Sequence, residues 1–418
     1  VFFFQSARPI LLLAFFVFNM VYIVILAASS GPAAPMRSEA VIITTLTIIS
    51  TLSLFPYFID TFQITTAETI ITKLGEMAYL ATKQQSNKNF DSVKANTDRV
   101  SAAIERLANM ALNAVQQSDK IYAYHVGNEL CDCVLKYQRH KFKLLPDWFD
   151  VPVWHSDNPD FFSLDDEALR TMVQNQSWLE WKVLKQYQMI YDQAIRNRSY
   201  GVTSLIAVNT RKICDSASAR GDGAVVDMCI KFFNTFLRYA ISADDGRSCG
   251  NVLHQYRQVA EFLLYNKGKM AWKSSANEAG PKEERAVMVA KYLAYYAEMA
   301  LKRDLGPITE LCAHDLSTLC QLAYLLESPL HERLLSTFLC VDDVASALQI
   351  ETAVMGIRKA QLKLATTYME NGDEDLARQI QADMAEDPPD RMAIVRRQLT
   401  EFNEKEFWEV GERGTNVD

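Results

Sequence analysis

AISADDGRSCGNVLHQYRQVAEFLL, residues 240–264, carries the reading of the fold. An apolar segment ends on Ala240-Ile241, the polar break SADDGR follows, and a second segment with apolar residues at helical spacing runs to Leu264. Side chains that recur every three or four residues line one face of a helix. A short break rich in Asp and Gly then joins antiparallel neighbours. The same design stands at three other places. Ala114-Val115 precedes QQSDK and a helix through Leu135; Ala194-Ile195 precedes RNRSYG and a helix through Ile213; Ala300-Leu301 precedes KRDLGP and a helix through Leu326. Upstream, Asp91 to Ser118 is amphipathic, with Val93, Val100, Ile104, Leu107 and Ala111 on one face. No run of alternating residues argues for a sheet, so the expected class is all-α. A hairpin of this kind has one apolar face more than it can cover alone, and stacking on the next hairpin buries it, as in α-solenoids. The four marks lie 80, 46 and 60 residues apart. That irregularity keeps a plain helical bundle open beside the solenoid.

Near the C-terminus, residues 361–389 (QLKLATTYMENGDEDLARQIQADMAEDPP) place Leu364, Ala365, Tyr368, Gly372, Ala377 and Pro389 at a familiar spacing. The stretch resembles a single tetratricopeptide repeat. The resemblance implies a helical hairpin in which Leu364 and Tyr368 pack inside, Gly372 makes the turn and Ala377 permits close approach, in a unit used for protein–protein contact. Gln361 and Gln381 depart from it, standing where large apolar residues are usual, and Met384 replaces a small one.

The first sixty residues have a different character, with Arg8, Arg37, Glu39 and Asp60 as their only charges. Pro9 to Ala28 is twenty uncharged residues, which at about 1.5 Å of rise per residue span a hydrocarbon core of about 30 Å. Val41 to Ile59 is a second uncharged stretch, beyond the turn-rich SSGPAAPMRSEA. Two transmembrane helices, about 9–28 and 41–59, form the expected hairpin. A cleaved signal peptide is the alternative for the first, but it would have a shorter apolar core and no second span close behind. From Asp60 the second span is expected to continue as a stalk.

The net charge of -8 falls entirely on the part beyond residue 60. An acidic domain without a concentrated basic face argues against nucleic acid as a partner. The densest basic run, Lys136, Arg139, His140, Lys141 and Lys143, reads as a helix end near anionic headgroups. All eight cysteines lie beyond residue 60, without the spacing of a disulfide framework, and mostly among apolar neighbours. They suit a cytoplasmic domain on a bacterial-type inner membrane. Arg37 against Glu39 in the interhelix loop leaves the charge rule for orientation without a preference.

Chemistry finds no foothold. Cys131-Asp132-Cys133 with His140 lacks the thiolate spacing and the second pair of a zinc site. The six histidines make no HExxH, and Arg220-Gly221-Asp222-Gly223 lacks the rest of a phosphate loop and reads as an interhelix turn. No Gly-x-Ser-x-Gly elbow is present. No catalytic residue, cofactor or metal is expected.

Two stretches are candidates for function. Pro146 to Asp166 (PDWFDVPVWHSDNPDFFSLDD) is a long segment broken by Pro146, Pro152 and Pro159. Its Trp148, Phe149, Trp154, Phe161 and Phe162 suit docking on another protein or on headgroups, or else cover the domain's own core. In the second span, Thr44, Thr47 and Thr51 share one helix face ahead of Pro56. They would knit helices together or line a narrow aqueous path.

The expected organisation is a transmembrane hairpin (1–60), a stalk and first helical hairpin (61–145), an aromatic and acidic loop (146–177), helical hairpins (178–345), and a tetratricopeptide-like hairpin with its tail (346–418). The expected function is a membrane-anchored scaffold or adaptor in contact with lipid and with other proteins, as a homo-oligomer or a subunit of a larger membrane complex. The alternative is a subunit of an oligomeric pore or transporter. An enzyme with a dispersed site is the third reading.

Overall fold

The computed structural model describes residues 14, 16–25, 41–42, 44–49, 51–52, 76, 90–150, 158–162, 164–265, 281–347, 350–385 and 387–400. The chain divides into two compact units, Val1–Leu74 and Gly75–Asp418.

In the first unit the described residues are helical and apolar on most sides. Val17, Phe18, Val21, Val24, Ile25, Val41, Ile48 and Leu52 all expose their side chains. Among the described residues no helix is long and apolar enough to cross a membrane. The expected spans 9–28 and 41–59, and the stalk that follows, lie in large part outside the described residues.

The second unit contains α1 (Phe90–Gln116), α2 (Lys120–Gln138), α3 (Asp166–Gln174), α4 (Trp178–Arg196), α5 (Tyr200–Ala219), α6 (Gly223–Ser242) and α7 (Gly246–Tyr265). It continues with α8 (Pro281–Leu301), α9 (Gly306–Leu325), α10 (His331–Leu339), α11 (Val341–Ala347), α12 (Glu351–Glu370), α13 (Glu374–Asp383) and α14 (Pro389–Thr400). No strand occurs among the described residues, and the class is all-α.

The helices pack in two layers. In one, α2, α5, α7, α9 and α12 lie side by side in that order; in the other, α1, α4, α6, α8 and α10 do the same. Each of α1/α2, α4/α5, α6/α7 and α8/α9 is a hairpin that crosses between the layers. The four breaks that mark hairpins in the sequence are these four turns.

Among the described residues one turn closes a helix eight times. At the end of α1 the carbonyl of Ala114 accepts from the amide of Asp119 and that of Val115 from Ser118, while Ser118 takes φ 61°. This pairing of a six-to-one with a five-to-two bond satisfies the last helical carbonyls and requires a left-handed residue. The same pair of bonds brackets Gln176, Arg198, Gly221, Asp244, Asp304, Glu327 and Gly372, all at positive φ. The next residue often caps the following helix. Asp119, Asp222, Asp245 and Asp373 each accept from an amide three residues on.

The turns reveal the true period. Gln176 to Gly221 and Glu327 to Gly372 are 45 residues, and Arg198 to Asp244 is 46. The irregular spacing of the sequence marks comes from insertions into a regular array. The 80-residue step also holds residues 139–165 and α3, and the 60-residue step holds residues 266–280. A two-layer helical repeat therefore displaces the plain bundle.

Six of the eight left-handed residues carry a side chain, a conformation glycine adopts without strain. Arg198→Gly and Glu327→Gly are each expected to raise stability by about 0.5–1 kcal/mol. Urea titration of the single variants and the pair, with gains that add, checks this.

Aromatic contacts join helices within a layer and across the two layers. Tyr191 stacks on Phe236 at 4.7 Å and Phe233 on Tyr256 at 5.2 Å, and Trp181 meets Phe232 edge-on at 5.5 Å. Two buried hydroxyls find partners, with Tyr256 donating to Asn234 Oδ1 and Tyr296 to the Asn234 carbonyl.

Within the expected loop 146–177, of which residues 151–157 and 163 lie outside the described residues, two regular elements occur. Pro146–Asp150 is a 3₁₀ turn, and Asp166–Gln174 is the helix α3, capped by Asp165.

Candidate functional site

The outward face of the α2–α5–α7–α9–α12 layer carries a groove of about 690 Å³ between α5, α7 and α9. Its position follows from the packing, because three parallel ridges of side chains leave two furrows where half-buried residues meet. One end is apolar, formed by Phe262, Tyr265, Leu322 and Leu325, with Tyr265 70% and Leu325 56% exposed. The other end is polar, formed by Arg211, Asp215, Gln258, Glu261 and Gln321. Thr318 joins it to a second hollow of about 390 Å³, lined by Arg257, Glu310, His314, Asp315 and Lys363 and reaching α12.

The charges in this groove are organised by two arginines. Arg211 pairs with Asp215 at 2.8 Å and donates to Gln255 at 2.7 Å. Arg257 pairs with Glu261 at 2.5 Å and with Asp315 at 3.2 Å. Burial pushes the Asp215 carboxyl above its usual range, against the pull of Arg211. Burial does the same to Glu261, where Arg257 pulls down and Asp315 pushes up. The nearby His314 and Lys359 hold Glu310 low. Arginines occupy the carboxylates, and no group of three or more metal-ligating side chains occurs among the described residues.

The sequence candidates lie elsewhere. Trp148, Phe149 and Phe161 are core residues, each at most 2% exposed. Trp148 packs on Trp178 at 5.3 Å, and its carbonyl accepts from the Trp178 indole at 2.9 Å. Phe161 lies under the Lys182 ammonium at 5.9 Å. The docking role read for these three is corrected: buried in the core, they are packing groups. Phe162 alone of the described aromatics in this segment points outward, 80% exposed, and Trp154 lies outside the described residues. In the first unit, the Thr51 hydroxyl donates to the carbonyl of Thr47, and Thr45 donates to Val41. Thr44 and Thr47 are helical as well. Cys131 and Cys133 are both buried, their thiols pushed up to about 12 by burial, and none of the eight cysteines is in a disulfide.

Three buried ion clusters hold the insertions and the C-terminal hairpins in place. Lys141 pairs with Glu180 at 3.0 Å and Asp222 at 2.6 Å, which ties the turn after α2 to α4 and to the α5–α6 turn. Lys182 pairs with Asp160 and with Glu105 at 2.7 Å, fixing residues 158–162 to α1 and α4. Arg358 on α12 reaches Asp342 at 2.9 Å, Asp383 at 3.0 Å and Asp387 at 2.7 Å. Gln361, the departure from the tetratricopeptide pattern, is fully buried in that third cluster and donates to Asp383 at 2.9 Å.

Asp342 gives this cluster a pH dependence. Burial raises its carboxyl to about 6, against the pull of Arg358, with Asp383 and Asp343 adding to the rise. A carboxyl raised in the folded state favours folding most when protonated. Its contribution is full below about pH 4 and is lost as pH rises through about 6. Asp342→Asn is expected to match the parent chain in Tm near pH 4 and to exceed it near pH 7.5. A variant less stable than the parent at pH 7.5 contradicts the assignment.

The C-terminal hairpin keeps the tetratricopeptide arrangement at its turn, with Leu364 and Tyr368 buried and Gly372 at φ 81°. Its helix α12 has 20 residues, and the repeat of 45–46 exceeds the roughly 34 of that family. Neither a protein-family model nor a curated protein matches the chain. Among solved structures, a "Circular tandem repeat protein with novel repeat topology and enhanced subunit contact surfaces" aligns with 94% of this chain and 97% of its own length. The two share 14% identity at a TM-score of 0.38. The repeat assignment rests on this chain's own turns and layers.

Proposed function

We propose that the chain is a membrane-anchored helical scaffold, in which residues 1–60 insert in a lipid bilayer and the two-layer repeat presents its groove to partner proteins. The groove carries this reading, because a furrow that crosses three consecutive repeat helices and mixes exposed apolar with paired charged side chains suits recognition of a protein segment. The apolar surface that the described residues of 16–25 and 41–52 expose supports the lipid anchor. Seven buried cysteines and one exposed one, none in a disulfide, support a cytoplasmic location for the repeat domain. The tetratricopeptide-like turn at Gly372 supports the same class of role.

The pore reading rests on the hydroxyl face of Thr44, Thr47 and Thr51. Thr51 spends its donor on its own helix, which supports helix packing over an aqueous path. An enzyme would pair an acid or nucleophile with a free base. The carboxylates of the groove are instead paired with arginines.

A photo-crosslinking residue at Leu325, with one at Lys291 on the other layer as control, tests the proposal in intact membranes. The expected result is a discrete protein adduct from position 325 only, on a chain that alkaline carbonate does not strip from the membrane. A chain released by carbonate overturns the anchor. Adducts equal at both positions overturn the scaffold face.

A further inference from the structure

The basic run at the end of α2 divides in the structure. Lys141 turns inward to Glu180 and Asp222, while Phe142, next in the chain, stands 63% exposed. Arg139 and Lys143 are exposed on either side of it. The turn that holds Phe142 out is hydrogen-bonded, with the amide of Lys143 donating to the carbonyl of His140 and that of Leu144 to the carbonyl of Lys141. The Lys141–Asp222 pair sets the α5–α6 turn alongside, so Arg220, exposed and two residues before Asp222, joins the same edge. None of Arg139, Lys143 and Arg220 meets a carboxylate among the described residues, although the chain as a whole carries a net charge of -8. Asp147, on the next turn, is the exposed carboxylate nearest along the chain, and the three cations outnumber it.

We propose that this edge, with Phe142 at its tip, binds the anionic headgroups of a lipid bilayer. Arg139, Lys143 and Arg220 lie against the phosphates, and the Phe142 ring enters the interfacial layer between them, where aromatic side chains settle. Charge complementarity and the exposed ring together select this occupant. A phosphorylated peptide would take the cations and leave the ring in water, whereas a bilayer takes both. Each cation near an anionic membrane surface is worth about fivefold in binding, and the attraction fades within a Debye length of roughly 8 Å at physiological salt. One ring and three cations make a weak contact alone, suited to a chain already held at the membrane. This rests on the lipid-anchored reading and adds to it a second contact with stated headgroup chemistry.

A photo-crosslinking residue in place of Phe142 tests it, in the full chain held in nanodiscs of phosphatidylcholine alone or mixed with phosphatidylglycerol. Phe162, 80% exposed, is the control position, and mass spectrometry reads the lipid adducts. Position 142 is expected to give at least tenfold more lipid adduct in the mixed discs, chiefly with phosphatidylglycerol. High salt, or R139Q combined with K143Q, removes most of that excess, and position 162 gives the same yield in both discs. Arg139 and Lys143 are exposed, and an unchanged Tm for the double variant confirms that folding is intact. Equal yields at position 142 in the two discs, or an excess that survives R139Q with K143Q, overturns the proposal. In intact membranes, a protein adduct in place of lipid at position 142 assigns the face to a partner protein and also overturns it. Failure at position 142 on a chain that alkaline carbonate leaves in the membrane removes this contact alone and lets the anchor stand. A chain that carbonate strips overturns the anchor, and flotation with preformed vesicles of the same two compositions then decides this face. Flotation with the anionic vesicles that R139Q with K143Q abolishes upholds it, and equal flotation or none overturns it.

Discussion

Replacing Arg358 by methionine is expected to cost about 3–5 kcal/mol at pH 7, the scale for breaking a buried ion pair by removing one partner. Its guanidinium is 4% exposed and is the common partner of Asp342, Asp383 and Asp387, three carboxylates from three segments. Without it those charges face one another, with Arg391, already paired with Glu351, left to meet Asp387. The loss is expected to fall on the last two hairpins, so amides of α13 and α14 lose hydrogen-exchange protection before those of α4 to α9. Below pH 4 the Asp342 carboxyl, raised to about 6 by burial, is protonated and the penalty shrinks. A variant equally destabilised at pH 4 and pH 7 would mean that lost packing, not charge, sets the cost.

Lys141→Met is expected to be comparably damaging, again by about 3–5 kcal/mol. Lys141 and Glu180 are both almost wholly buried, and Asp222 closes the cluster at the α5–α6 turn. Burial works to discharge Lys141, but Glu180 and Asp222 more than offset it and hold its pKa above the ordinary value. Glu180 is held above its usual range by the same burial. Neutralising all three groups together, with Lys141→Met, Glu180→Gln and Asp222→Asn, is expected to recover much of the loss, since no charge is then stranded. Asn at 222 retains the acceptor that caps Val225. Chemical denaturation of the single and triple variants checks both statements, and a triple variant no better than Lys141→Met refutes the electrostatic account.

How much of this was legible in the sequence follows from its physics. The four hairpins were readable because each turn leaves a local mark: an alanine three positions inside the helix end, then a β-branched residue or leucine, then polar residues where the chain reverses. Their common period was not. Residues 139–165 with α3, and residues 266–280, interrupt it, and six of the eight left-handed positions hold residues other than glycine. Trp148, Phe149 and Phe161 are buried against expectation because exposure is not a property of a residue's neighbours in the chain. Lys182 on α4 and Glu105 on α1 draw Asp160 inward, and Phe161 goes with it. The groove was illegible for the same reason, since Asp215, Glu261 and Leu325 meet only when α5, α7 and α9 pack side by side. Gln361 stood out in the sequence as a departure from a motif, and the Arg358 cluster gives the reason for it.

The central claim is a lipid-anchored repeat that holds other proteins. Native mass spectrometry of the chain, extracted gently from its own membrane, tests it most directly. The account predicts a heterogeneous complex in which other proteins remain bound to the chain and dissociate when Leu325→Glu is introduced. A homo-oligomer of fixed count with nothing else bound would contradict it in favour of a pore, and a bare monomer would contradict both readings.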